Sequence, residues 1–156
     1  MLKWTLRIGG GLVALVLLTL AIFFIAYSMW ISGLTNTLNK GSQIAHTPQG
    51  DIEYAILGEG EPKLVIHGMP GGYDQGLLLR RSFPEHFDGV QTIAISRPGY
   101  LRTPVASGRT PEEQADLYAA LLDELKIERV IVEGASGGAP SAVQFALRHP
   151  QRTKAL

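Results

Sequence analysis

The sequence predicts an α/β fold behind an apolar N-terminal helix, and three observations lead there. Short apolar runs, KLVIH at 63–67, VQTIAIS at 90–96 and RVIVE at 129–133, recur with helix signals between them. Strands separated by helices imply right-handed crossovers and a mainly parallel sheet. A charge-free stretch from Ile8 to Ile31 stands apart at the N-terminus. The whole chain of 156 residues carries 14 Lys+Arg against 14 Asp+Glu and no cysteine. Zero net charge lacks the basic field of a nucleic-acid binder, so no nucleic-acid partner is expected. Without cysteine there is no disulfide framework, thiolate nucleophile or zinc ribbon.

Residues 1–32 read as a membrane anchor. The uncharged run 8–31 spans roughly 36 Å as a helix, enough for a hydrocarbon core of about 30 Å with some tilt. Trp4 lies before it, and Tyr27 and Trp30 lie near its other end, where aromatic residues favour the two interfaces. Lys3, Arg7 and the amino terminus precede the run, and only Lys40 follows closely. The positive-inside bias then places the N-terminus in the cytoplasm and the rest on the outer side, with the lipid bilayer as partner of residues 8–31. Ala26-Tyr27-Ser28 offers an alternative: cleavage at Ser28 would make the remainder secreted. The run exceeds the roughly 7 to 15 residues of a signal h-region, which favours an uncleaved anchor. Residues 33–41 are polar and without period, and read as a linker.

From 42 to 156 the elements follow in order. SQIAH and DIEYAIL flank the turn Thr47-Pro48-Gln49-Gly50 and read as an antiparallel hairpin. KLVIH is a buried-type strand that ends in the loop GMPGG, and 75–82 reads as a brief helix. VQTIAIS is the next strand, stopped by Arg97-Pro98-Gly99. Thr110 and Glu113 form a capping box around Pro111, with Leu117, Leu121, Leu122 and Leu125 on one helix face. RVIVE is a strand, 137–148 a helix stopped by Pro150, and TKAL at 153–156 the start of another strand.

The chemistry sits at strand ends. Gly134-Ala135-Ser136-Gly137-Gly138 matches G-x-S-x-G between RVIVE and a helix. A tight turn there lifts a serine hydroxyl clear of the sheet, and flanking glycines avoid collision with the neighbouring strand and helix. An acyl-transfer site also needs two N–H donors for one oxygen. The Gly137 N–H and that of Met69, in the loop His67-Gly68-Met69-Pro70-Gly71-Gly72, are the candidates, because Pro70 has no N–H. His67, Gly68 and Gly71 read as loop-shaping residues, as do Gly134 and Gly138 at the elbow. Phosphate-loop and dinucleotide fingerprints follow none of these strands, and neither metal nor organic cofactor is expected.

KLVIHGMPGG, AISRPGYLRTP and VIVEGASGGAPSAVQFALRHPQR, in that order, resemble the front half of an α/β-hydrolase-fold protein. The resemblance is to the branch of serine esterases, prolyl aminopeptidases and other H-G-x-P hydrolases. It implies Ser136 as nucleophile, Met69 and Gly137 as oxyanion-hole donors, a small ester or amide as substrate, and Ser96–Tyr100 as a substrate-side loop. Leu101 and Thr103 depart from the glycine and serine usual there. In this family an acid and a histidine follow the serine in chain order. The chain ends at Leu156, so a truncated hydrolase without either partner is expected, inactive by itself. His149, His46 and His86 are poor substitutes, expected far from Ser136 or on the surface. One sheet edge would lie open to a possible second chain, leaving Val143, Phe145 and Leu147 short of cover. The alternative reading is a non-catalytic membrane-tethered remnant or interaction module. A dehalogenase would want Asp at position 136, where this chain has serine.

Overall fold

The computed structural model describes residues 2–156, without the side chains of Leu2, Lys3, Thr5, Leu6, Ile8, Leu79 and His86. The chain divides into two units, one ending at Lys40 and one covering Gly41–Leu156. The first is a single helix, α1 (Leu2–Lys40). It is long and apolar enough, from Gly9 to Lys40, to cross a membrane by length and composition.

The expected linker is therefore helical up to Lys40. Residues 32–39 carry neither proline nor charge, and extending an existing helix adds one hydrogen bond per residue fixed. Thr37 Oγ1 donates to the Gly33 carbonyl at 3.0 Å, which satisfies a polar side chain within the helix itself. A polar run lacks an apolar stripe, but it is not a stop signal. The helix ends before Gly41.

The second unit is a mixed sheet with helices on both faces. Its strands are β1 (Gln43–Thr47), β2 (Gly50–Leu57), β3 (Glu61–Ile66), β4 (Val90–Ile95), β5 (Val130–Gly134) and β6 (Thr153–Ala155). Two short helices, α2 (Tyr73–Gly76) and α3 (Leu78–Ser82), follow β3; α4 (Pro111–Glu124) follows β4 and α5 (Ala139–Arg148) follows β5. Spatial order is β1-β2-β4-β3-β5-β6. The expected hairpin closes at Thr47↔Gly50, and β2 also runs antiparallel to β4; β4, β3, β5 and β6 are parallel.

Strand alternation puts Leu64, Ile66, Ile93, Ile95, Val130 and Val132 on one face. There they pack against Leu117, Tyr118, Leu121 and Leu122 of α4 and Ala142 and Phe145 of α5. Phe145 is fully buried, contrary to the sequence expectation, because α4 lies against α5 and covers it. Val143 and Leu147 are exposed. The start of α4 is fixed as its sequence requires: Glu113 N–H donates to Thr110 Oγ1 at 3.2 Å, and Glu113 Oε2 accepts from Thr110 N–H at 3.2 Å. On the opposite sheet face Ala55 and Ala94 meet Tyr73 and Leu77 in a smaller cluster.

Candidate active site

The registers Ile66↔Ile95 and Ile66↔Gly134 bring three strand ends to one level. The loops that leave them lie at the carboxyl edge of the parallel strands, where open α/β sheets present their ligand sites.

The loop after β5 is shaped by sterics. Ser136 has φ 46°, a left-handed conformation that disfavours a Cβ by roughly 1–2 kcal/mol. It opens a single 3₁₀ turn, Ser136–Gly138, that runs into α5. Ala135 N–H donates to the Ile66 carbonyl at 3.0 Å, which pins the turn to β3. A Cβ on Gly134 would lie 2.5 Å from Ala142 Cβ, and one on Gly138 2.5 Å from the Ile66 oxygen and 2.6 Å from that of His67. Both glycines flanking Ser136 are therefore required by close approach. Gly68 faces the same turn, with Ser136 Cβ only 3.1 Å from where its own Cβ would be.

The loop after β3 is shaped by polar side chains. Gln75 reaches back from α2, accepting from Gly68 N–H at 2.9 Å and donating to the Pro70 carbonyl at 2.7 Å. Gly71 lies against this side chain. Buried His67 accepts the Arg97 N–H on Nε2 at 2.9 Å. An amide can only donate, so the ring proton sits on Nδ1, which donates to the Gly68 carbonyl at 2.7 Å. Burial, with help from the Arg97 cation, pushes the His67 pKa down against the opposing Gly68 hydrogen bond. His67 is a neutral loop brace with both nitrogens occupied.

The loop after β4 is tied to both of the others. From it Arg97 Nη1 donates to the Gly137 carbonyl at 2.7 Å and Nη2 to the Gly68 carbonyl at 3.3 Å. Its cation lies 4.9 Å over the Tyr100 ring. Below it, fully buried Glu53 accepts from Ser42, Ser96 and both the backbone and Nε of Arg102, at 2.6, 2.8, 3.1 and 2.7 Å. Burial favours the neutral acid, but these hydrogen bonds outweigh it and hold Glu53 below the usual carboxyl range. The two departures in this loop fit the same turn. Leu101 takes φ 46°, and Thr103 Oγ1 accepts the Glu53 N–H at 2.9 Å.

Met69, Ala135 and Ser136 line a cavity of about 240 Å³, whose remaining wall includes Val65, Leu78 and Phe87. Among the described residues, no loop or turn hydrogen bond occupies the Met69 or Gly137 N–H. Glu133 is also on the cavity wall, ion-paired to Lys63 at 3.1 Å. Among the described residues no histidine side chain is hydrogen-bonded to Ser136. His149 Nε2 lies 2.9 Å from Asp116, which Arg148 also grips, and exposed His46 pairs with Asp51 at 2.7 Å. The His86 side chain lies outside the described residues. Among the described residues no group of three or more His, Asp or Glu is placed to hold a metal.

The family described as alpha/beta hydrolase fold matches residues 64–156, the stretch that contains all three loops. The chain belongs to this family. An uncharacterised hydrolase (YcgS) of Bacillus subtilis is 36% identical over 107 residues, 69% of this chain and 37% of the relative. A 2-hydroxy-6-oxononadienedioate/2-hydroxy-6-oxononatrienedioate hydrolase of Cupriavidus pinatubonensis is 33% identical over 123 residues, 74% of this chain and 43% of the relative. Among solved structures, an α/β-hydrolase-fold protein of Nakamurella multipartita superposes with a TM-score of 0.65 at 44% identity, covering 74% of this chain and 39% of that one. The chain thus spans about two-fifths of the length of these family members.

The sequence singled out Ser136, Met69, Gly137 and the shaping glycines, and the structure brings all of them to one edge of the sheet. Gln75 and the Arg97 side chain were missed. Their partners are not next to them in sequence, and neither belongs to a recognisable spacing.

Proposed function

We propose that residues 41–156 are the nucleophile-bearing part of a serine hydrolase that cleaves a small carboxylic ester or amide through an acyl-serine. One observation carries the reading: Ser136 occupies a left-handed turn between strand and helix, between two glycines that have no room for a side chain. In the first step Ser136 Oγ attacks the carbonyl carbon and its proton passes to a base. The carbonyl oxygen becomes an oxyanion, for which the Met69 and Gly137 N–H groups are the donors. The tetrahedral adduct collapses, the alcohol or amine leaves with a proton, and water then hydrolyses the acyl-Ser136. No metal or organic cofactor enters these steps. This reading assigns the histidine and acid to polypeptide outside residues 1–156, on the same chain or on a second chain that completes the sheet. Helix α1 would tether the hydrolase part to a bilayer, and Lys3 and Arg7 ahead of the apolar run support a cytoplasmic N-terminus with the hydrolase part outside. Cleavage at Ser28 would release it instead.

A second reading, a non-catalytic tethered module, is favoured by one observation: no histidine with a described side chain is placed to serve Ser136. A single experiment separates the two. Loss of the base histidine costs about 10⁶ in turnover in another serine hydrolase. The 156-residue chain in detergent is therefore expected neither to label with a fluorophosphonate nor to turn over p-nitrophenyl acetate above the Ser136→Ala background. Free imidazole, supplied as external base, should yield acetyl-Ser136 detectable by mass spectrometry and absent from Ser136→Ala. Failure to form the adduct at any imidazole concentration selects the non-catalytic module.

A further inference from the structure

We propose that Arg97 is a positioning residue for the oxyanion donors, holding and polarising the peptide that carries the Met69 N–H while it fixes Gly137. Its purpose rests on the serine-hydrolase reading of Ser136; its geometry does not.

The Gly68 carbonyl and the Met69 N–H are the two ends of one peptide unit. That carbonyl accepts from His67 Nδ1 at 2.7 Å and from Arg97 Nη2 at 3.3 Å. A carbonyl oxygen has two acceptor positions, so both are filled and the plane is held against rotation. The direction of the Met69 N–H is set by those two bonds. A cationic donor on the oxygen also draws electron density toward it and leaves the N–H more positive, as hydrogen bonds in series strengthen one another. The other arm of the same guanidinium donates to the Gly137 carbonyl at 2.7 Å. The Gly137 N–H lies on the far side of that residue's Cα. Gly137 admits the contact, since a Cβ there would sit 3.2 Å from Arg97 Nη2. One cation therefore braces both candidate donors, from behind, across sequence separations of 29 and 40 residues.

Two further features mark this as more than a structural tie. Arg97 Nε is buried and has no hydrogen-bond partner, an unmet donor that a purely stabilising contact would avoid and that functional sites tolerate. The plane of the fork is also set: the cation lies over Tyr100, and the Tyr100 ring meets His67 edge-on at 4.8 Å. Lysine, a point charge, could keep the positive potential but not bridge two divergent carbonyls.

The test uses the chain's small number of methionines. Its three are Met1, Met29 and Met69, so ¹⁵N-methionine labelling of the full chain in detergent gives two backbone amide signals. Met29, in α1, is the internal control. In Arg97→Leu, which leaves the methionines unchanged, the Met69 proton should move upfield as the cation's pull on its peptide is lost. Met29 should not move. Arg97→Lys should give an intermediate Met69 shift, and it decides the question if Arg97→Leu does not fold. A structural tie alone would lower the urea midpoint and leave the Met69 signal of the folded protein in place. That outcome, in whichever variants fold, overturns the positioning role. Acylation is not read here, so failed imidazole rescue sinks the Ser136 reading alone and an unmoved Met69 signal sinks this one alone.

Discussion

The loop after β5 and the loop after β3 meet at one site, yet they are held in opposite ways. The first is fixed by what is missing: Gly134 and Gly138 lack side chains because backbone and methyl groups already fill the space. The second is fixed by what is added: Gln75, His67 and Arg97 contribute hydrogen bonds to a loop that sterics alone would leave open. Steric constraint acts at the scale of a tenth of an ångström and fails abruptly, whereas a set of polar ties weakens one bond at a time. The turn that carries a proposed nucleophile has the stiffer support, and the loop that presents an N–H has the adjustable one.

The largest effect expected from that contrast is at Gly138. Gly138→Ala drives a methyl group against the Ile66 and His67 carbonyls and should destabilise the fold by about 3 kcal/mol, the upper end of ordinary overpacking, as read by urea unfolding. A near-neutral result would break the steric half of the comparison. Gln75→Leu removes two hydrogen bonds from the other loop and should cost about 2 kcal/mol, with the added signature of faster proteolysis within residues 67–72. Stability lost without that local opening would mean the loop does not depend on its polar ties. The smallest effect is a pH dependence. His67 has a folded pKa below its ordinary 6.5, so the unfolded chain binds its proton more readily than the folded one. Its contribution is complete above about pH 6.5 and declines as pH falls from there toward the folded value. Urea midpoints of wild type and His67→Gln, compared from pH 7.5 to 5, should converge as pH falls. Parallel curves would show that His67 titrates alike in both states.

Legibility in the sequence followed the same division. The elbow could be read because its requirement is local: a glycine two residues either side of Ser136, between an apolar run and a helix. Thr110 and Glu113 were readable for the same reason, since a capping box closes within four residues. The polar ties were not. Arg97 to Gly137, Arg102 to Glu53 and Arg148 to Asp116 join residues 32 to 49 apart, and nothing in a single sequence ranks one arginine above another. Phe145 was misjudged because its cover comes from α4, a packing choice that helix spacing does not reveal. Residues 33–40 differ in kind: they lack amphipathicity, but a helix already under way needs no apolar stripe to continue.

The contact between Gly138 and the Ile66 and His67 carbonyls also bears on motion. With no slack between them, the turn after β5 cannot swing outward without carrying the end of β3, and the Ala135 to Ile66 hydrogen bond couples the same two segments. Opening events that expose one should expose both, so the two loops form one cooperative unit of local unfolding. The Ser136 hydroxyl and the Met69 amide, which line one cavity, would then appear and vanish together, and a ligand that captures either would slow the breathing of both.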